Sequence, residues 1–382
     1  MIITKCDVVR SHDLSEYAWA GLRRFHNTPF VTDRICRIQR VPEKHQKNAE
    51  KQATQIRYCL QQAREYYDAA SVVTLATQPN LYYYSMMSLA LAEVLFKQDG
   101  TSSLDKAREH HKHHGLELRT NSLPKDRREL ADTAAALRAV PLCDSHGNGF
   151  GTFELWHRTA REMPLVGEKT VLRGPLKEVG ADILFGALDA RLQRISTTGL
   201  SLLDCLRALP GMINFLRQHG VAPRTMRARL EGQWEDGAPP EKREFTLWIH
   251  PGDPGLISEF LGNLLFDPNA IDAIEYRELP NGGRAKWTGR VLKATIPHVT
   301  SWNEKDVYFW PSAEPLNEFG YFYVALYIVG NYARYFPDHW LHDVENSTPL
   351  ALAVEELIRV AKFRVPLLAL SEFSSCYQIP DT

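Results

Sequence analysis

The chain has 382 residues, 44% of them hydrophobic and 24% charged, the balance of a soluble globular protein with room for two or three domains. Its 45 basic and 46 acidic side chains leave a net charge of −1, so no global field draws it to nucleic acid or to an anionic membrane. Any such contact must come from a local patch. The six cysteines, Cys6, Cys36, Cys59, Cys143, Cys205 and Cys376, include no C-x-x-C pair, which argues against a zinc framework or a secreted disulfide scaffold and points to a reducing cytoplasm.

The opening "MIITKCDVVRSHD" carries charges too early for a secretory signal. In the segment from Pro42 to Ala70, residues Ile56, Leu60, Ala63, Tyr67 and Ala70 recur at three- and four-residue spacing, which predicts an amphipathic helix broken by Pro79 and Asn80. "LYYYSMMSLALAEVLF" (81–96) follows as a helix apolar nearly all round, and therefore central to a bundle. Its run Tyr82, Tyr83, Tyr84 can stack on a base. Inside an apolar helix it reads instead as packing, with the hydroxyls bonded at the bundle edge.

A third helix is expected through "KAREHHKHHG", capped by Ser103 and closed by a left-handed Gly115. Of its histidines His110, His111, His113 and His114, the pair His110 and His114 stands one turn apart, as two metal ligands would. Zinc asks for three or four ligands and only His146 is near in sequence, so the cluster reads as a solvated helix end and no metal is expected. Phe319 to Ala333 is uncharged but shorter than the roughly 20 residues of a membrane span. Ala69 to Ala92 is interrupted by Gln78, Pro79 and Asn80, so no membrane segment is expected.

"PLCDSHGNGFG" (141–151) is a turn-rich break, and the stretch to about 200 is mixed in character. "SLLDCLRALPGMINFL" predicts a helix with Ser201 as N-cap and Pro210 as a kink or stop. At Pro223 the pattern turns to alternation: "TMRARLEGQW" and "REFTLWIH" read as strands, and "DPGLISEFLGNLLF" as a helix capped by Asp253. "AIDAIEYREL" and "RAKWTGRVLKATI" flank "PNGG" as a hairpin, and "DVYFWP" adds an edge strand. From Leu316 the chain returns to helix, ending in a short last piece. The fold class is α+β: a mainly helical bundle formed by both chain ends, 1–221 and 313–382, around a β-rich insertion at 222–312.

Common catalytic signatures are missing. "VGEKT" (166–170) lacks the upstream glycine of a phosphate-binding loop, and there is no G-x-S-x-G, H-E-x-x-H or Glu-x-Lys motif. Arg224, Arg227 and Arg229 lie on the first predicted strand of the insertion, and Arg284, Lys286, Arg290 and Lys293 on the fourth. If those strands are neighbours one sheet face is electropositive, which makes Arg227, Arg229, Arg290 and Lys293 candidates for nucleic-acid contact; a solvated surface is the plainer alternative. In "NYARYFPDHWLH" (331–342), Arg334 and His339 have the Arg-x4-His spacing with which an arginine steadies a phosphorane and a histidine moves protons. A structural alternative is that Arg334 closes one helix, Pro337 opens the next and Trp340 anchors it.

"YYDAAS…PNLYYYSMMSLALAEVLF…HHGLE", "SLLDCLRALPGMINF" and "NYARYFPDHW…ALAVEELIRVAKFRVPLLALSEF" together resemble the bacterial YaaC-like proteins, in that order along most of the chain. The positions carrying the resemblance are His114 and Gly115, and Arg334, Tyr335, Pro337 and Trp340. The resemblance implies no established activity. It implies a helical part similar to HEPN domains, and relatives lie near IMP dehydrogenase, prophage and defence genes. The implied role is a cytoplasmic binding or assembly component of an antiphage or toxin-type system, working as a homo-oligomer or with a protein partner, RNA being a further ligand, without a cofactor. Its alternatives are a metal-independent HEPN-type ribonuclease using Arg334 and His339, and a regulatory partner in purine metabolism. His339 stands at a variable position of the motif, and Tyr335 replaces a small polar residue after the arginine.

Overall fold

The computed structural model describes residues 3, 5–98, 113–121, 123–124, 126–159, 162–173, 176–187, 195, 198–234, 239, 242, 244–250, 254–264, 271–279, 282–289, 298–299, 307–311 and 314–380. Strand β1 (Lys5–Val9) leads into α1 (Leu14–Arg23), whose first turn is held by the Asp13 carboxylate accepting from the Glu16 N–H at 2.9 Å. Asn27 caps α2 (Thr28–Ile38) in the same way through Phe30. Helix α3 (Gln46–Val72) buries the predicted stripe, Ile56, Leu60, Ala63, Tyr67 and Ala70, and packs along α4 (Gln78–Phe96). Pro79 sits in the first turn of α4, where a missing N–H costs nothing, so it opens this helix.

After α4, strand β2 (Leu116–Thr120), α5 (Leu130–Ala136), β3 (Leu137–Pro141), α6 (Thr152–Thr159), the hairpin β4 (Glu162–Arg173) and β5 (Leu176–Ala187), β6 (Leu200–Ser201), α7 (Leu202–Ala208) and α8 (Ile213–Gln218) follow. The expected third helix lies outside the described residues up to position 112; His113 and His114 themselves are in an irregular bend. Gly115 has φ +84°, as a left-handed residue should. Ser201 caps α7 in a reciprocal box with Asp204, and Pro210 opens a short 3-10 turn after that helix has ended.

The β-rich part contains β7 (Met226–Trp234), β8 (Glu244–Ile249), α9 (Pro254–Leu264), β9 (Ile271–Leu279), β10 (Gly282–Gly289), β11 (His298–Val299) and β12 (Val307–Phe309). Its sheet runs β11-β12-β7-β8-β10-β9, and β5 pairs with β7, bringing β4 along. Three expectations change here. The sheet recruits a hairpin from before residue 222; β12 is flanked by β11 and so is no edge; and β7 and β10 are separated by β8. Buried Met226, Ala228, Leu247, Ile249 and Ala285 give the sheet an apolar face that stands apart from the main helical core.

The chain then forms α10 (Glu318–Tyr335), α11 (Pro337–Glu345) and α12 (Pro349–Ser374). Every residue of α10 from Glu318 to Tyr332 is buried, so this helix is the axis of the bundle, with α4 and α7 against it. The short last piece is strand β13 (Cys376–Pro380), which pairs in parallel with β1 and ties the two ends of the described chain together. Beside it the buried Arg364 donates to Glu318 from Nε at 2.7 Å and to the Tyr377 hydroxyl at 2.7 Å. Pairing of this kind is what allows an ionised side chain to sit in the core. Among the described residues no helix is long and apolar enough to cross a membrane.

Candidate functional site

The break between α10 and α11 places the motif "RYFPDHW". Phe336, with φ −129° and ψ 53°, ends α10, and Pro337 begins α11. Trp340 is buried and its indole N–H donates to the Ala76 carbonyl at 3.0 Å, fastening α11 to the turn between α3 and α4. The short turn leaves Arg334, Tyr335 and His339 exposed.

Arg334 and His339 turn to different partners. The Arg334 guanidinium donates to the Tyr84 hydroxyl at 2.7 Å and lies over the Tyr335 ring, 5.1 Å from its centroid. Tyr84 is stacked on Tyr66 with centroids 5.4 Å apart and stands 6.4 Å from the His114 ring. His114 meets the Tyr83 hydroxyl through Nδ1 at 2.8 Å. Burial, then the charge of Arg334 and then His113, hold His114 below the ordinary value of 6.5, so its imidazole is neutral at pH 7. Burial also keeps the Tyr83 phenol protonated well beyond pH 10; with that proton directed to Met87 Sδ at 3.9 Å, its oxygen is able to accept from Nδ1–H, the tautomer in which Nε2 is the basic nitrogen.

The backbone fixes this histidine. The His113 and His114 carbonyls accept from the Thr152 and Phe153 N–H groups at 2.9 and 3.0 Å, and the Gly115 carbonyl accepts from Leu142 at 3.0 Å. A Cβ on Gly115 would stand 2.9 Å from the Phe150 carbonyl oxygen, so glycine is required by space as well as by φ. The result is an exposed guanidinium, a neutral imidazole and half-buried tyrosine rings in one surface cluster, a set able to bind phosphate and stack a base.

His339 belongs to a second assembly. Its Nδ1 faces Arg127 Nη2 at 2.8 Å, and because a guanidinium only donates, that nitrogen accepts. Arg127 also reaches the His339 carbonyl at 3.3 Å, the Tyr332 hydroxyl at 2.9 Å and the fully buried Asp343 carboxylate. Tyr332 and Thr348 bond to the same carboxylate at 3.0 and 3.1 Å. This clasp pins the segment before α5 onto α10 and α11. Sequence reading did not single out Arg127 or Asp343, and neither stands in a motif that marks it.

On the sheet, Arg227 and Arg229 are exposed on β7. Cross-strand register aligns Arg229 with Trp248, Trp248 with Arg284 and Arg284 with Arg277, so one row on one face carries three arginines and a tryptophan. The Arg284 guanidinium lies 5.7 Å from the centre of the Trp248 ring. Arg227 and its β12 partner Tyr308 extend this face, whereas the row of Thr246, Lys286 and Glu275 is of mixed sign. Arg290 and Lys293 lie outside the described residues, as do His110 and His111. His113 packs edge-on against Phe150, and among the described residues no group of three or more His, Cys, Asp or Glu side chains is placed to hold a metal.

No curated protein and no solved structure matches the chain. Residues 23–170, a stretch that holds Tyr84, His114 and Arg127, match the sequence model described as YaaC-like Protein.

Proposed function

We propose that the chain is a binding component that takes single-stranded RNA on the exposed face of its sheet, within a bacterial antiphage or toxin-type assembly. The observation that carries this reading is the row Arg229, Trp248, Arg284 and Arg277. Arginines along one row neutralise phosphates, and an aromatic ring between them offers a stacking surface that any base can use. The opposite, apolar face of the same strands is buried, so the row stands on a backed sheet. The test is binding of a labelled single-stranded RNA to wild type, to Arg229→Gln/Arg284→Gln and to Trp248→Ala. Loss in both variants is expected; unchanged affinity in either rejects the sheet as the binding face.

A second reading, a metal-independent HEPN-type ribonuclease, draws support from Arg334 standing beside a neutral His114. In such a reaction the 2′-hydroxyl attacks the adjacent phosphorus, the bond to the 5′-oxygen breaks, and a 2′,3′-cyclic phosphate and a 5′-hydroxyl result. His114 takes the hydroxyl proton and passes it on to the departing 5′-oxygen, and Arg334 steadies the charged phosphorane. In this reading His114 assumes the role that the Arg-x4-His spacing assigns to His339, whose Nδ1 is engaged by Arg127. Incubation with RNA in a chelating buffer decides it: cleavage abolished by His114→Ala and retained by His339→Ala supports this reading, and intact RNA with wild type rejects it.

A further inference from the structure

A separate cleft of about 340 Å³ opens between α1 and α3, lined by Glu16, Trp19, Leu22, Arg23, His26 and Arg64 among others. Its inner wall is apolar: Leu22 and Leu60 are buried, and the Trp19 ring packs on Tyr67 with centroids 5.2 Å apart. The size suits a small molecule, since ligand sites begin at roughly 300 Å³.

The charges around it do not balance. Arg64, whose guanidinium lies 5.5 Å from the Trp19 ring centre, is satisfied by Glu16 at 2.9 Å and Asp68 at 2.8 Å. Glu16 is the one carboxylate among the lining residues, and this bond uses it. Arg23, His26 and nearby Arg57 have no acidic partner among the described residues. Burial holds His26 below 6.5, and the charges of Arg57 and then Arg23 add to it in the same direction. The Trp19 indole N–H is buried and has no acceptor, a state that costs about 1–3 kcal/mol wherever it persists.

We propose that this cleft binds a small organic anion, a phosphate ester or carboxylate with a planar apolar body. Its anionic group sits between Arg23 and His26 with Arg57 behind, and its body lies along Trp19 and Leu60. The site is independent of the RNA readings, because it lies on α1 and α3 and uses none of their residues.

The test uses the full chain with phenyl phosphate, phenol and inorganic phosphate as probes, followed through the Trp19 indole and His26 imidazole resonances. Phenyl phosphate is expected to shift both and to raise the His26 pKa, because a bound anion offsets Arg23 and Arg57. Phenol and inorganic phosphate, each with half of the recognised chemistry, are expected to bind at least about tenfold more weakly, the loss of one charge-assisted bond or of the ring's burial. Arg23→Gln/Arg57→Gln, both exposed positions, should abolish the response with the melting temperature unchanged. Trp19→Phe should weaken binding about fivefold by shrinking the ring along which the occupant's apolar body lies. No shift with phenyl phosphate, a response that survives Arg23→Gln/Arg57→Gln, or phenol binding as tightly as phenyl phosphate overturns the proposal.

Discussion

Arg334 and Tyr84, 250 positions apart in the chain, are joined by a 2.7 Å hydrogen bond, and through Tyr84 the arginine stands beside His114. The arginine's charge is one of the causes that hold His114 below 6.5, after burial. Arg334→Ala is therefore expected to raise the His114 pKa part of the way back, leaving the share due to burial. Titration of the imidazole by NMR checks it; an unchanged or lowered pKa shows that the two side chains do not interact in solution.

The same shift links pH to stability. A histidine whose folded-state pKa lies below its unfolded value binds protons more readily when unfolded, so stability falls as pH drops through about 6.5. His26 acts in the same direction. Denaturant midpoints between about pH 7.5 and 5.5 should decline in wild type and decline less in His114→Gln. Equal slopes for the two proteins would assign the acid sensitivity to other groups.

Gly115 holds His114 in place at a φ of +84°. Gly115→Ala meets both the left-handed backbone, at a cost of about 1–2 kcal/mol, and the Phe150 carbonyl. Urea unfolding should show at least that loss, and the His114 resonances should move. A stability within experimental error of wild type contradicts the tight packing described at this turn.

In the core, Glu318→Gln leaves the Arg364 guanidinium buried without its carboxylate. Breaking such a pair by removing one partner costs about 3–5 kcal/mol. The Tyr377 contact ties the same arginine to β13, so the β1–β13 pairing should loosen as well. Hydrogen exchange along those two strands, compared between the variant and wild type, reports on this directly.

RNA bound on the sheet face should respond steeply to salt. Removing two phosphate contacts, with Arg229→Gln/Arg284→Gln, is expected to reduce the slope of log affinity against log salt by about 1.4, taking about 0.7 per contact for a single strand. Trp248→Ala should weaken binding without changing that slope, because stacking releases no counterions. A variant slope equal to wild type places the phosphate contacts elsewhere.

What the sequence determined by itself was local. The stripe on α3, the Ser201 cap, the left-handed Gly115, the β9–β10 hairpin and the stop and restart around Pro337 each depend on a few neighbouring residues. Their physics is contained in helical or strand period, in capping side chains and in the steric limits of glycine and proline. Tyr82, Tyr83 and Tyr84 also conform to the packing reading, their hydroxyls meeting Ser71, His114 and Arg334 at the bundle edge. The last strand was not legible, because Cys376–Pro380 becomes β-structure only by pairing with β1 at the far end of the chain.

The candidate sites were decided by tertiary structure. Arg334 and His339 are five positions apart, yet the turn at Phe336 and Pro337 sends one to Tyr84 and the other to Arg127. The two basic strands are not neighbours; β8 lies between them and contributes Trp248 to the row, which only strand order and register can specify. Spacing along a chain states which side chains are near in sequence. Which donor meets which acceptor depends on how helices and strands far apart in sequence bury their apolar faces together, and that packing set the partners of Arg334, His114, His339 and Arg229.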